Sequence, residues 1–220
     1  ETAEYGADAL RLYEMFMAPF DQEVDWNEDG INGTRRFLNR LWRLYADTYT
    51  QSADAGAEDP ALERQTHILV RETTERISEM RFNTMVSSFM EFANALIERK
   101  QAGKWRTRTF HDALETLMRL IAPSAPHIAE ELWAQTGHTG SVHLQDWPDW
   151  DPALAQEETV SLAVQVNGKT RAVIEVPADA PQADVEARAK AEPAVERAMD
   201  GKNIVRIIYI PGKVVNIVVK

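Results

Sequence analysis

Between Trp147 and Glu158 the hydrophobic period of this 220-residue chain changes. Before that stretch, apolar residues recur every three or four positions, the spacing of one helix face. After it they alternate, the spacing of a strand. A single layer cannot serve both patterns, so the sequence predicts a mainly α-helical bundle followed by a small α+β domain with two β-hairpins. The expected boundaries are an entering segment over 1–28, the bundle over 29–146, a linker over 147–158 and the α+β domain over 159–220. The linker is marked by Trp147-Pro148-Asp149-Trp150-Asp151-Pro152, followed by Glu157-Glu158.

The helical part can be followed stripe by stripe. Ala7, Leu10, Leu12 and Met15 give a short opening helix that must stop before Pro19. Asn32 or Gly33 is expected to start a stronger helix with Phe37, Leu41, Trp42, Leu44, Tyr45 and Tyr49 on one broad face. Gln51 to Pro60 reads as a loop, with Asp59-Pro60 a helix start. Helical spacing then runs from Ile68 to Met80. Phe82, Met85, Val86, Phe89, Ala93, Leu96 and Ile97 form the next stripe, closed by Gly103. Phe110, Ala113, Leu114, Leu117, Met118 and Ile121 form another, stopped by Pro123. Ser124 and Pro126 are expected to open the last helix, with Ile128, Leu132 and Trp133.

The α+β part rests on two turns. Val166-Asn167-Gly168-Lys169 and Ile210-Pro211-Gly212-Lys213 each interrupt a β-branched run and place a lysine just after the turn. Asn-Gly suits a two-residue hairpin because both positions tolerate positive φ. A strict two-residue turn would pair Val166 with Lys169 and Val164 with Arg171, setting cations beside apolar residues. Either their stems extend over the sheet edge or a bulge shifts the register.

Charge divides along the same boundary. The net charge is −11 overall, but residues 1–159 hold 15 Lys and Arg against 28 Asp and Glu, and residues 160–220 hold 9 against 7. No apolar run has the length of a membrane span, no leader opens the chain, and Glu1 in place of Met suggests a piece of a longer polypeptide. With no Cys and five scattered His, neither a disulfide framework nor a metal site is expected. A cytoplasmic monomer is the default expectation. The acidic run Asp21, Glu23, Asp25, Glu28 and Asp29 lacks the spacing of a calcium loop. His127, with Glu130 and Glu131 nearby, reads as a capping or packing residue. Trp26, Trp42, Trp105 and Trp133 read as packing between helices, and Trp147 and Trp150 as pins holding the linker to the bundle.

At three places the chain resembles a known family. Glu4-Tyr5-Gly6-Ala7-Asp8-Ala9-Leu10-Arg11 resembles the segment after the Lys-Met-Ser-Lys-Ser loop of class I synthetases for leucine, isoleucine and valine. Pro126-His127-Ile128-Ala129-Glu130-Glu131-Leu132-Trp133 resembles the closing helix of their anticodon-binding bundle. The paired hairpins resemble the C-terminal domain of the bacterial leucyl-tRNA synthetases, which grips the outer corner of the tRNA. The isoleucine family's cysteine zinc site and the valine family's coiled-coil tail have no counterpart here. The resemblance covers Glu1 to Lys220 and implies a tRNA-binding C-terminal portion, with residues 1–28 leading in from a catalytic domain. The catalytic and editing domains would lie upstream, so no catalytic residue, cofactor or metal is expected in this chain. ATP and Mg²⁺ are implied for the full enzyme, and leucine tRNA for the partner. The alternatives are an isoleucyl- or valyl-tRNA synthetase fragment, a free-standing RNA-binding protein, or a protein-interaction scaffold.

The residues suited to RNA are cations in rows. Arg36, Arg40 and Arg43, at i, i+4 and i+7, fall within roughly 60° of helix arc, opposite the aromatic stripe. Guanidinium groups so arranged match phosphate oxygens; the competing reading is a solvated face ion-paired to acidic helices. Lys169 and Arg171, two apart on a strand, should project to one side, unless they are only edge charges that discourage aggregation. Lys202, Arg206, Lys213 and Lys220 complete the expected tRNA-binding set.

Overall fold

A computed structural model describes residues 2–52, 58–156, 159–178 and 180–220, apart from the side chains of residues 2, 3, 28, 29 and 159. The chain divides into two compact units, Glu1–Gln156 and Glu157–Lys220.

The first unit is a helical bundle: α1 (Thr2–Tyr5), α2 (Ala7–Phe16), α3 (Glu28–Ser52), α4 (Pro60–Ser78), α5 (Phe82–Gln101), α6 (Arg108–Ile121) and α7 (Pro126–Gln135). Helix α6 packs against α3, α4, α5 and α7, which is why its apolar stripe is the cleanest in the chain. Phe110, Leu114 and Leu117 of α6 meet Phe37, Leu41 and Tyr45 of α3 and Met85, Phe89 and Leu96 of α5 in one core, all essentially removed from water. Burying each such side chain contributes about 1.5–3 kcal/mol, so the stripes dominate the stability of the bundle. The buried stripe of α5 is wider than expected. It also takes in Ser88 and Phe92, because α5 touches α2 on one side and α4 on another.

Tertiary contacts move several expected boundaries. Helix α3 starts at Glu28, ahead of Asn32 and Gly33. Its first turns are held to α2 rather than by local propensity: Ile31 is buried, and Thr34 Oγ1 donates to Ala9 O at 2.9 Å. Gly30 lies within that helix because a Cβ there would meet the Tyr13 ring at 2.3 Å. Within the expected entering segment 1–28, Ala9, Leu12 and Tyr13 of α2 are part of the bundle core. Gln51 and Ser52 are helical, Glu58 and Asp59 are not, and residues 53–57 of the expected loop lie outside the described residues. Ser124 does not cap α7. Ala125 holds that position without a side-chain bond, and Pro126 is at the first helical turn. The capping oxygens come from Asp8, which accepts from the backbone N–H groups of His127 (3.3 Å) and Ile128 (2.7 Å). Trp26 is a surface residue, 43% exposed, with its ring edge against Tyr13; Trp133 is buried, and Trp42 and Trp105 are partly so.

Asp59 caps α4 as the sequence predicts. Its Oδ1 accepts from Leu62 N at 3.0 Å, and its Oδ2 takes the Arg99 Nε–H of α5 at 2.8 Å. Burial alone would push this carboxyl up, but the Arg99 bond and the helix N–H groups outweigh it and hold the pKa below the ordinary value. Asp59→Ala should therefore destabilise the bundle by about 1–2 kcal/mol at neutral pH. A lowered folded-state pKa means this stabilisation is full above the unfolded carboxyl value, near pH 4, and lost as pH falls through the folded value. Thermal melts of both proteins at pH 7 and in strong acid should show the gap closing at the acid end.

After α7, a 3₁₀ turn (Val142–Leu144) leads into residues 147–156, which run along α4. Trp147 Nε1–H donates to Thr74 Oγ1 (2.8 Å), Asp151 N–H to His67 Nδ1 (3.0 Å), Arg71 to Ala155 O and Arg64 to Gln156 O (3.4 Å). Those four α4 residues, 64, 67, 71 and 74, share one helix face. Most of the expected linker is thus a strap belonging to the first unit, and Trp150 packs against the same core.

The second unit has β1 (Thr159–Val166), β2 (Lys169–Pro177), α8 (Gln182–Lys190), α9 (Pro193–Met199), β3 (Ile204–Ile210) and β4 (Val214–Val219). The sheet order is β2-β1-β4-β3, with two antiparallel hairpins joined by parallel pairing of β1 and β4. Leu162, Val164, Ile174, Val176, Val215 and Ile217 point to one face, where Val185 and Ala189 of α8 and Val195 of α9 cover them.

Candidate nucleic-acid interface

Arg36, Arg40 and Arg43 are exposed on α3, opposite the buried Phe37, Leu41 and Tyr45, and line a shallow groove with Gly33 and Asn39. The ion pairs of the competing reading are not formed there. Among the described residues, none of the three contacts a carboxylate, and Arg40 donates only to Asn94 Oδ1 at 3.2 Å. Arg35 is also exposed, and lies 5.8 Å from the centroid of the Tyr5 ring. Elsewhere in the bundle, acids and bases do pair: Lys100 with Asp47, Arg108 with Asp112, Arg76 with Glu72. Among the described residues, then, the row carries three guanidinium groups without an ion pair, in a unit that is acidic as a whole.

The first hairpin turn forms as predicted, with φ of 49° at Asn167 and 78° at Gly168. Val166 pairs with Lys169, Gln165 with Thr170, and Val164 with Ala172 rather than Arg171. Arg171 is the extra residue of a bulge, so the two-residue alternation that would set Lys169 and Arg171 on one face is interrupted between them. Both are exposed. The second turn carries Pro211 and then Gly212 at φ 69°, with Lys213 N–H returning to Ile210 O at 3.1 Å. Pro followed by a positive-φ Gly is the type II signature.

Strand register brings most of the expected cations to one end of the sheet. The first turn meets the end of β4, where Asn167 N–H reaches Ile217 O at 3.0 Å. At that end Lys220 and Asn203 exchange backbone bonds of 3.0 and 2.9 Å, next to Lys202, and Arg206 pairs with Val218. Lys213 is set apart, its carbonyl accepting from Ala163 N–H midway along β1. Lys202 is partly committed, with Nζ donating to Ala198 O at the end of α9 (3.0 Å). None of the six forms an ion pair among the described residues. Residues 160–174 and 201–220, which hold nearly all of the sheet, carry six Lys and Arg and no Asp or Glu. Residues 175–200, mostly the helix layer, carry three against seven.

Several other titratable groups bind within the bundle. His127 is not the cap: its ring is largely exposed and its Nδ1 lies 2.7 Å from Asp8 Oδ1, the carboxylate that caps α7. Tyr49 donates to the Glu115 carboxylate, which His138 Nε2 also meets at 2.9 Å while stacked on Trp133. Burial, then that Glu115 bond, drives the Tyr49 phenol well above its ordinary pKa, so it stays a neutral donor. Asp21, Glu23 and Asp25 are exposed in the segment before α3; the side chains of Glu28 and Asp29 lie outside the description. Among the described residues no group of three or more His, Asp or Glu is arranged to hold a metal ion, and no helix is long and apolar enough to cross a membrane.

A helical bundle followed by a cation-tipped α+β unit fits a protein that holds RNA, and comparison with known proteins gives the class. Residues 59–187, more than half the chain, match the family model described as the anticodon-binding domain of tRNA ligase, and the chain belongs to that family. The particular relatives are leucine–tRNA ligases. That of Dehalococcoides mccartyi strain BAV1 is 42% identical over 218 residues, and that of Herpetosiphon aurantiacus 43% over 218. Each alignment covers 99% of this chain but 27% of the relative, so the chain spans about a quarter of their length. Among solved structures, the ternary complex of Agrobacterium radiobacter K84 agnB2 LeuRS, tRNA and LeuAMS aligns over 100% of this chain and 30% of its own. The TM-score is 0.75 at 29% identity.

Proposed function

We propose that this chain is the tRNA-holding C-terminal portion of a leucine–tRNA ligase, positioning leucine tRNA for ATP-dependent leucylation by a catalytic domain outside it. The observation that carries this reading is the second unit's residues 160–174 and 201–220, which hold most of its sheet and carry six cations and no acid, none of the six in an ion pair among the described residues. The relatives, and the LeuRS–tRNA complex whose fold this chain shares, support the choice of partner. In this reading Lys169, Arg171, Lys202, Arg206, Lys213 and Lys220 meet phosphates from the hairpin unit, with Lys202 the weakest of them. Arg36, Arg40 and Arg43 meet phosphates from the bundle. Such contacts fix register and orientation without reading sequence. Adenylate chemistry needs donors that hold ATP phosphates and developing charge, which the reading places in the catalytic domain with ATP and Mg²⁺.

The test is a titration of the chain with leucine tRNA and with an unrelated tRNA across salt. Binding should weaken steeply with salt, log affinity falling against log salt by nearly one for each phosphate contact. The same preparation should show no leucine-dependent ATP–pyrophosphate exchange. Salt-independent or absent tRNA binding would overturn the reading; exchange activity would overturn its assignment of the chemistry elsewhere.

A further inference from the structure

Positive φ at both turn positions explains why Asn167-Gly168 can turn, but not why asparagine stands first. Glycine would meet the same backbone demand. The Asn167 carboxamide is occupied: Oδ1 accepts from Val219 N–H at 2.9 Å, and Nδ2 donates to Val219 O at 3.1 Å. Its own backbone N–H reaches Ile217 O at 3.0 Å. Asn216 answers from β4, its Oδ1 accepting the Gly168 N–H at 3.1 Å. A two-residue turn is ordinarily held only by its own hairpin. This one is held by four hydrogen bonds to a strand of the other hairpin.

We propose that Asn167 and Asn216 are positioning residues for RNA binding. They form a clasp that fixes the tip of the first hairpin to β4, so that Lys169 and Arg171 are presented at a set place beside the chain end. This rests on the reading that the hairpin tip meets tRNA phosphates. The chemistry requires an amide at 167. An aspartate has no donor for Val219 O and adds charge that opposes a polyanion, while glycine keeps the turn and deletes the clasp. The bulge at Arg171 adds to the need, because its unpaired residue loosens β2 just beyond the turn. Without the clasp, the backbone that carries both cations must be ordered when RNA binds; with it, that backbone ordering is already in place.

The experiment is a double-mutant cycle in the whole chain: Asn167→Gly, the pair Lys169→Ala/Arg171→Ala, and all three together, with leucine tRNA as probe. Asn167→Gly should keep its helical circular dichroism and its cooperative melt while losing hydrogen-exchange protection at the Val219 amide. Its tRNA affinity should fall about five- to tenfold, on the order of the cost of fixing the backbone of one residue at the hairpin tip. In the background lacking both cations, Asn167→Gly should have no further effect. Two results overturn the clasp while leaving the RNA reading intact. One is wild-type affinity despite a deprotected Val219 amide; the other is an equal loss of affinity in both backgrounds. Wild-type affinity in Lys169→Ala/Arg171→Ala instead sinks the RNA reading of this hairpin, and the clasp with it. If Asn167→Gly unfolds the second unit, Asn216→Ala, which removes a single bond, goes through the same cycle with the same outcomes.

Discussion

Asp8→Ala is expected to lower the melting temperature of the bundle by about 5–10 °C, more than other polar substitutions in the chain. Asp8 is 7% exposed and supplies the only side-chain caps to the N-terminus of α7 among the described residues. Removing it leaves the His127 and Ile128 N–H groups without acceptors in a half-buried place. A lost cap costs about 1–2 kcal/mol and a stranded buried donor adds a similar amount. In a unit of this size each kcal/mol shifts the melt by about 2–4 °C. His127→Ala should cost under about 1 kcal/mol, because its ring is largely in water and such pairs contribute little. Equal losses in calorimetry would mean that the His127 pair, not the cap, holds α2 to α7.

The second large effect concerns binding. Replacing Arg36, Arg40 and Arg43 together with Ala should leave the melting of the bundle nearly unchanged, since the three are exposed and form no ion pair among the described residues. Leucine tRNA affinity near 0.1 M salt should nonetheless fall by about 10²–10³-fold, and the log–log salt slope by about 2.7. Three glutamines should behave like three alanines, since charge rather than packing is being removed. An unchanged slope would return the row to the role of a solvated helix face.

How much of this was legible in the sequence depended on how far apart the partners lie along the chain. The stripes of α5 and α6, the Asp59-Pro60 start and the Asn-Gly turn are local signals, and each formed where the spacing placed it. The cap on α7 was missed because its partner, Asp8, is 119 residues from His127, and Ser124 offered a plausible local substitute. The strap was missed because Arg64, His67, Arg71 and Thr74 look like any polar helix face until the chain segment they hold is known. Two possibilities remained for the Arg171 register, and the bulge settled between them. Among the interface residues, the identity of the cations was readable. Their gathering at one sheet end depends on the parallel pairing of β1 with β4, residues some fifty apart in sequence, which no local pattern announces.

The uneven charge of the second unit bears on how fast a partner arrives, apart from how tightly it stays. With six of the nine cations of residues 160–220 in the sheet segments and all seven acids of that stretch between them, it is an electrical dipole as well as a weakly basic body. A polyanion drifting in is turned toward the sheet and repelled from the helices, so misoriented collisions are rejected before contact. Such steering is screened over a Debye length of about 10 Å at 0.1 M salt. Stopped-flow mixing should accordingly show much of the salt dependence in the association rate, with dissociation far less sensitive.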